Sequence, residues 1–313
     1  MINNNLYIFL HLPKTGGSTF RKHIEKNVSK NERLLVSYQK LRYSRTKNNQ
    51  ESYISEFKKD ISKIKDADKE KIKIIYGHEI PYGVHTFFSK NPKYITFVRN
   101  PDDRIISLYN FFKTMYFRED KYGKAKEHYH KQFLINGKVP VFSEWLQNKY
   151  ATAGNGVENI NTLLLNLGYL RHDGDMDKNI NLLLDKFYFL GITEMLDDDL
   201  TFLYNKLRIK KLFLRQNIST KHIGIDEAKK NEELLRCKNS FDYLIYKGAL
   251  KRNKSNKLKN IFISNKRKRS FLFILFTQLL FDTENTFIIL SNYLKRKSNM
   301  YNKVFNFIRR NNK

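Results

Sequence analysis

The sequence predicts an α/β fold built on a largely parallel sheet, with a basic helical extension at the C-terminus. Three observations predict it. Short runs rich in β-branched and aromatic residues alternate with segments of helical spacing, the pattern of parallel sheets assembled from strand–helix–strand units. Three of those runs stop at, or next to, a cluster of glycine, histidine or basic residues, and in parallel sheets ligands bind at the carboxyl ends of strands. The composition supports a sizeable core: 24 Phe and 19 Tyr among 313 residues, 41% of them hydrophobic.

The first strand is expected over residues 7–12, ending in Pro13-Lys14-Thr15-Gly16-Gly17-Ser18-Thr19, and an amphipathic helix over 20–26 follows at once. Residues 28–70 are polar, charged and helix-compatible, with no Gly or Pro to organise a site. A strand over 71–76 ends at Gly77-His78, and another over 93–98 ends at Arg99-Asn100-Pro101. Pro101 suits a first helical turn. Beyond it Ile105, Ile106, Tyr109 and Phe112 share one side of a helix over 102–112, and Asp102 and Asp103 complement the dipole at its start. A strand over 187–193 and a helix over 197–207 complete the pattern. No internal repeat occurs.

Composition changes near Lys251, which divides the chain into a domain over 1–250 and an extension over 251–313. The extension carries sixteen Lys or Arg against two acidic residues, half of the net charge of +28. Its apolar run Phe271-Leu272-Phe273-Ile274-Leu275-Phe276-Thr277-Gln278-Leu279-Leu280-Phe281 is too short as a helix, at about 16 Å, to cross a bilayer core of about 30 Å. Lengthening it would carry Asp282 and Glu284 into the span. Two arrangements remain: packing on the domain, the commoner use of an apolar stripe, or peripheral contact with an anionic membrane surface.

So large a positive charge points to a polyanionic partner: nucleic acid, anionic membrane, acidic glycan or nucleotide. Abundant Lys, Asn and Ile together are also what AT-biased coding produces, which assigns part of the charge to solvated surface. The single cysteine, Cys237, excludes a disulfide framework and a cysteine-rich zinc site, and suits a reducing compartment. Met1-Ile2-Asn3-Asn4-Asn5 lacks the basic start of a secretory signal, so folded protein in the cytoplasm, with or without peripheral membrane contact, is expected.

Strand, glycine turn and helix start form an arrangement that cradles phosphate. Gly16 and Gly17 let the backbone approach an anion, helix N–H groups and the helix dipole face it, and Lys14 adds a charge. Ser18 and Thr19 add hydroxyl donors or a cap. An ordinary tight turn is the alternative. The loop is no nucleoside-triphosphate loop of the Gly-x4-Gly-Lys-Ser/Thr form, because its lysine precedes the glycines, and this counts against a kinase.

Pro13-Lys14-Thr15-Gly16-Gly17-Ser18-Thr19, then Tyr76-Gly77-His78-Glu79-Ile80, then Arg99-Asn100-Pro101-Asp102-Asp103-Arg104-Ile105-Ile106-Ser107-Leu108-Tyr109 resemble, in this order, the sulfotransferases that use 3′-phosphoadenosine 5′-phosphosulfate (PAPS). The resemblance is to the group that includes heparan sulfate and uronyl 2-O-sulfotransferases and bacterial relatives. Leu190-Gly191-Ile192-Thr193-Glu194 is similar to a further strand of that family. The resemblance implies a P-loop NTPase-like three-layer fold, PAPS as co-substrate, no metal, and a hydroxyl acceptor, a glycan before others, with no specific nucleic acid partner. It implies that Lys14, Thr15, Gly16, Gly17, Ser18 and Thr19 hold the 5′-phosphate, and that Arg99 and Ser107 clasp the 3′-phosphate. It further implies His78 as the general base, with Glu79 as second candidate. Lys14 is then placed to stabilise the leaving phosphate of an in-line transfer. Free imidazole titrates near 6.5 and so accepts a proton at neutral pH. For Arg99 an ion pair with Asp102 or Asp103 is the alternative. His11 and His85 are expected to be structural, with lining of the acceptor pocket as the alternative for His85. Glu194 is expected to be structural, with a functional role as its alternative, and Asn217, Ser219 and Thr220 lie in a polar loop able to close over the nucleotide. The reading from a different class is an inactive nucleotide-fold protein that binds nucleic acid or anionic membrane through its basic tail.

Overall fold

The structure, a computed structural model, describes residues 4–36, 50–117, 133–151, 159–171, 175–209 and 225–260. The polar loop at Asn217, Ser219 and Thr220 and the apolar run from Phe271 lie outside these residues.

Five parallel strands form one sheet in the order β2-β3-β1-β4-β5: β1 (Asn5–Leu10), β2 (Arg33–Val36), β3 (Ile74–Gly77), β4 (Asn91–Val98) and β5 (Phe189–Ile192). Alternation along β1 sends Leu6, Ile8 and Leu10 to one face and Phe9 to the other. The Leu6 face is covered by α2 (Gln50–Ile61), α6 (Ile160–Asn166), α7 (Met176–Lys186) and α11 (Ser240–Asn260). The Phe9 face, with Ile74, Tyr76, Ile95, Phe97 and Phe189, is covered by Phe20 and Ile24 of α1 (Gly17–Asn27) and by Leu200, Leu203 and Tyr204 of α8 (Leu196–Leu207). The result is the expected three-layer α/β fold. Full burial of Phe9, Phe20 and Phe97 contributes about 1.5–3 kcal/mol each before entropy is counted.

A second apolar cluster sits beyond the sheet, where α4 (Pro101–Phe117) meets α5 (Phe142–Ala151) and α10 (Glu232–Lys238) around Tyr109, Phe133, Phe142 and Trp145. The remaining helices are the short α3 (Asp66–Lys69) and α9 (Ile225–Lys230).

Strand β2 lies within the stretch expected to be helix-compatible throughout; its four residues pair in parallel with β3 at the sheet edge. The expected break at Lys251 falls inside α11, whose Asn253 donates to Leu190 O of β5 at 2.8 Å. This helix is also tied to α4. Asp242, 4% exposed, pairs with the buried Arg104 at 3.5 Å and accepts the N–H groups of Ile160 and Asn161 at 2.9 Å each. Burial raises the Asp242 pKa despite Arg104 and the two N–H donors. A buried pair of this kind adds little net stability, yet losing one partner strands the other. Asp242→Ala is therefore expected to cost about 3–5 kcal/mol, read as a lowered denaturant midpoint.

Candidate active site

Register brings the predicted motifs to one edge. Leu10 of β1 lies opposite Gly77 of β3 and Thr96 of β4, so His11, His78 and Arg99 all emerge at the carboxyl end. From β1 the chain crosses over β3 to the edge strand β2, whereas from β4 it runs on to neighbouring β5. The crevice between β1 and β4 is thus a topological switch point, where such sheets bind ligands.

The loop after β1 is shaped by backbone hand. Lys14 has φ +65° and Gly16 φ +77°, with Thr15 between them on the ordinary side. Alternation of hand gathers successive N–H groups into a concavity suited to anions. A non-glycine residue held at positive φ is strained, by about 1–3 kcal/mol, and such strain collects at functional sites. The loop is pinned from below: Thr15 Oγ1 donates to Leu12 O at 2.8 Å, and Thr193 Oγ1 lies 2.7 Å from Thr15 O and 2.9 Å from Val98 O. The Thr15 hydroxyl, buried in this bond, leaves its backbone N–H as the group available to an anion.

Gly16 is the N-cap of α1 and supplies no side-chain cap, so Ser18 and Thr19 stand inside the first turn rather than capping it. Gly17 is glycine because of its neighbours: a Cβ there would lie 2.2 Å from His11 Cδ2 and 2.9 Å from Phe9 Cζ.

Lys14 is half-buried, and its Nζ sits 4.3 Å from the centroid of the Phe111 ring on α4. Burial, then the neighbouring Arg99, lower its pKa to about 8. Ser107 precedes Phe111 by one turn on the same helical face, which puts it on the loop side of α4, half-buried. Arg99 reaches across the crevice, with Nη1 3.4 Å from Lys14 O. Burial pushes its guanidinium down and the carboxylates of Asp103 and Glu194 push it up. Among the described residues no carboxylate is within ion-pair distance of Arg99. Asp102 instead accepts the Tyr243 hydroxyl, and Glu194 accepts Asn100 N–H at 2.9 Å.

Within Arg-x-Pro-x-x-Arg-x-x-Ser-x-Tyr the structure separates two kinds of side chain. Arg99 and Ser107 are half-exposed at the crevice. Arg104 is buried against Asp242, and the Tyr109 hydroxyl donates to Pro140 O at 2.8 Å.

His78 follows β3. Its Nδ1 lies 2.7 Å from His11 O. A carbonyl oxygen only accepts, so Nδ1 carries the proton, and in the neutral ring Nε2 carries the lone pair. Glu79, next in sequence, is 3% exposed, whereas His78 is partly open to solvent. His85 lies elsewhere, its Nδ1 2.9 Å from the Tyr94 hydroxyl. Among the described residues no group of three or more His, Cys, Asp or Glu is arranged to hold a metal, and no helix is long and apolar enough to cross a membrane.

Residues 8–263 match the model of the sulfotransferase domain. The chain belongs to the sulfotransferase family. No curated protein matches it. The match runs from within β1 to beyond α11, so the sulfotransferase domain includes the helix that carries Asp242 and Tyr243. Sulfuryl transfer is the chemistry of the family, and PAPS is its sulfate donor. The sequence alone marks His11 as structural, gives Phe111 no role and places Thr193 in a stretch similar to a strand of the family. Only the sheet register and the return of α4 over the loop bring them against His78, Lys14 and Thr15.

Proposed function

We propose that this sulfotransferase moves a sulfuryl group from PAPS to a hydroxyl of a carbohydrate, in the manner of the heparan sulfate and uronyl 2-O-sulfotransferases that its motifs resemble. The observation that carries the reading is the pair of half-buried cations facing each other across the β1/β4 crevice, Lys14 on the anion-shaped loop and Arg99 on the far side. Two cations with few protein partners, each held at reduced solvation, suit a nucleotide with a phosphate at either end. The N–H groups of residues 15–18 and Lys14 take the 5′-phosphate, and Arg99 and Ser107 take the 3′-phosphate; the Thr19 N–H already donates to Gly16 O at 3.1 Å. The side chains that would clasp each phosphate fit this donor, and bound there it supplies the activated sulfuryl group.

His78 Nε2 accepts the proton of the acceptor hydroxyl as the new O–S bond forms. The S–O bond to the 5′-phosphate breaks on the opposite side of sulfur, and its electron pair stays on the phosphate oxygen. Lys14 and the loop N–H groups stabilise the charge that grows there. The net charge of +28 favours an acidic polysaccharide as acceptor. The proposed setting is the cytoplasm, with 251–313 as a basic extension that reaches the membrane surface or packs on the domain.

Transfer of labelled sulfate from PAPS into separated acidic glycans, neutral glycans, lipids and tyrosine peptides tests the acceptor class. Label is expected in acidic glycan. Label confined to lipid or peptide would overturn the carbohydrate reading. Replacing Arg99 with alanine is expected to weaken binding of 3′-phosphoadenosine 5′-phosphate by about 10–100-fold while leaving the weaker binding of AMP nearly unchanged, because a charge-assisted pair is worth about 1.5–3 kcal/mol. Equal losses for both nucleotides would show that Arg99 does not read the 3′-phosphate.

A further inference from the structure

We infer that His11 is a positioning residue for His78: its carbonyl fixes the tautomer, and its ring, wedged between the His78 ring and the Gly17 backbone, fixes the orientation. The inference rests on His78 being the base.

The geometry is specific. The rings of His11 and His78 stack with centroids 4.1 Å apart and planes 26° apart. His11 also stacks on Phe9 with centroids 5.6 Å apart, and Phe9 is itself held edge-on by Phe20 at 4.8 Å and by Phe97 at 6.0 Å. His11 is 4% exposed, and its Nδ1 is buried with no hydrogen-bond partner among the described residues. A buried polar atom left in this way is costly and needs a reason. Here the ring serves as a flat, neutral wall. Its edge fills the space that a Cβ on Gly17 would occupy, which ties the base to the first residue of the phosphate-binding helix.

Neutrality follows from the surroundings. His78 faces the ring from the loop after β3, Arg21 from α1, and Lys14 from the loop after β1. These three and burial itself all oppose a proton on His11. A neutral wall keeps one face of His78 dry without placing a second charge against it.

The test combines variants with a spectroscopic measurement on the unaltered protein. In ¹⁵N-labelled protein, His78 is expected to be Nδ1-protonated with an unprotonated Nε2 at neutral pH. An Nε2-protonated ring would overturn the inference. His11→Ala is expected to lower kcat by about 10–100-fold, the size of effect that follows misplacement of a reacting group. It should leave affinity for 3′-phosphoadenosine 5′-phosphate nearly unchanged. Water reaching the exposed ring face favours the charged form of His78, so the acid limb of kcat should rise by roughly 0.5–1 pH unit. His11→Phe keeps both the stack and the carbonyl, and is expected to restore kcat and the limb. A His11→Ala protein that is less stable but has the wild-type kcat and pH limb would reduce His11 to a packing residue. Should His78→Ala retain full activity, the base assignment itself fails, a result separable from any His11 outcome.

Discussion

Lys14→Ala is expected to lower kcat by about 10²–10³, the usual effect of removing one preorganised group from a site of developing charge. Nucleotide affinity should fall by less, because the N–H groups of the loop remain. Lys14→Arg should not rescue: the guanidinium is larger and planar, and the Lys14 ammonium already sits 4.3 Å from the Phe111 ring centroid. The lowered pKa of about 8 gives this prediction a pH dependence. In the free protein Lys14 is mostly charged at pH 7 and mostly neutral at pH 9. A bound phosphate favours the charged form and raises the pKa, so binding above pH 8 must draw in a proton. Affinity should then weaken as pH rises through 8, by up to about tenfold per unit. Calorimetry at pH 8.5 in two buffers of different ionisation enthalpy would detect the proton taken up, and the uptake should vanish in Lys14→Ala.

His78→Ala is expected to lower kcat by about 10²–10⁴, the range ascribed to a positioned general base, with little change in donor affinity. Loss of donor binding in parallel with kcat would assign His78 to holding the nucleotide instead. Glu79→Gln separates the two candidates. Glu79 is buried beside a half-exposed His78, so its neutral replacement should alter stability more than the pH dependence of kcat. An imidazole-rescued His78→Ala enzyme would point the same way, because the small base can occupy the vacated side of the crevice.

Much of this arrangement could be read from residue order, and what could not has a physical reason. Strands β1, β3 and β4 announce themselves by apolar runs that end at or next to glycine, histidine or basic residues, and β5 by its apolar run alone. Strand β2 does not: its apolar run, Leu34-Leu35-Val36, is only three residues long, sits at a sheet edge partly open to solvent, and ends at no glycine, histidine or basic residue. The start of β4 at Asn91 includes Pro92, which sits where β4 first pairs with β1 and carries a residue that donates no ladder bond. Helix α4 runs past Phe112 to Phe117 because Met115 still has a buried place.

At the candidate site, Lys14, His78, Arg99 and Ser107 can be singled out because the chemistry proposed for them travels with local motifs. His11 cannot, since one residue past a strand nothing local distinguishes a core histidine from one that stacks on His78. Its partner is 67 residues away and is brought to it by the pairing of Leu10 with Gly77. Arg104 and Arg99 look equivalent in sequence. Only Asp242, arriving from α11, makes one of them structural.

A calorimetric comparison of 3′-phosphoadenosine 5′-phosphate with AMP on the unaltered protein tests the two-ended clamp most directly. The account predicts saturable 1:1 binding of the doubly phosphorylated nucleotide, at least about tenfold tighter than AMP because Arg99 and Ser107 have a phosphate to hold. Equal affinity for the two nucleotides, or no heat with either, would contradict it.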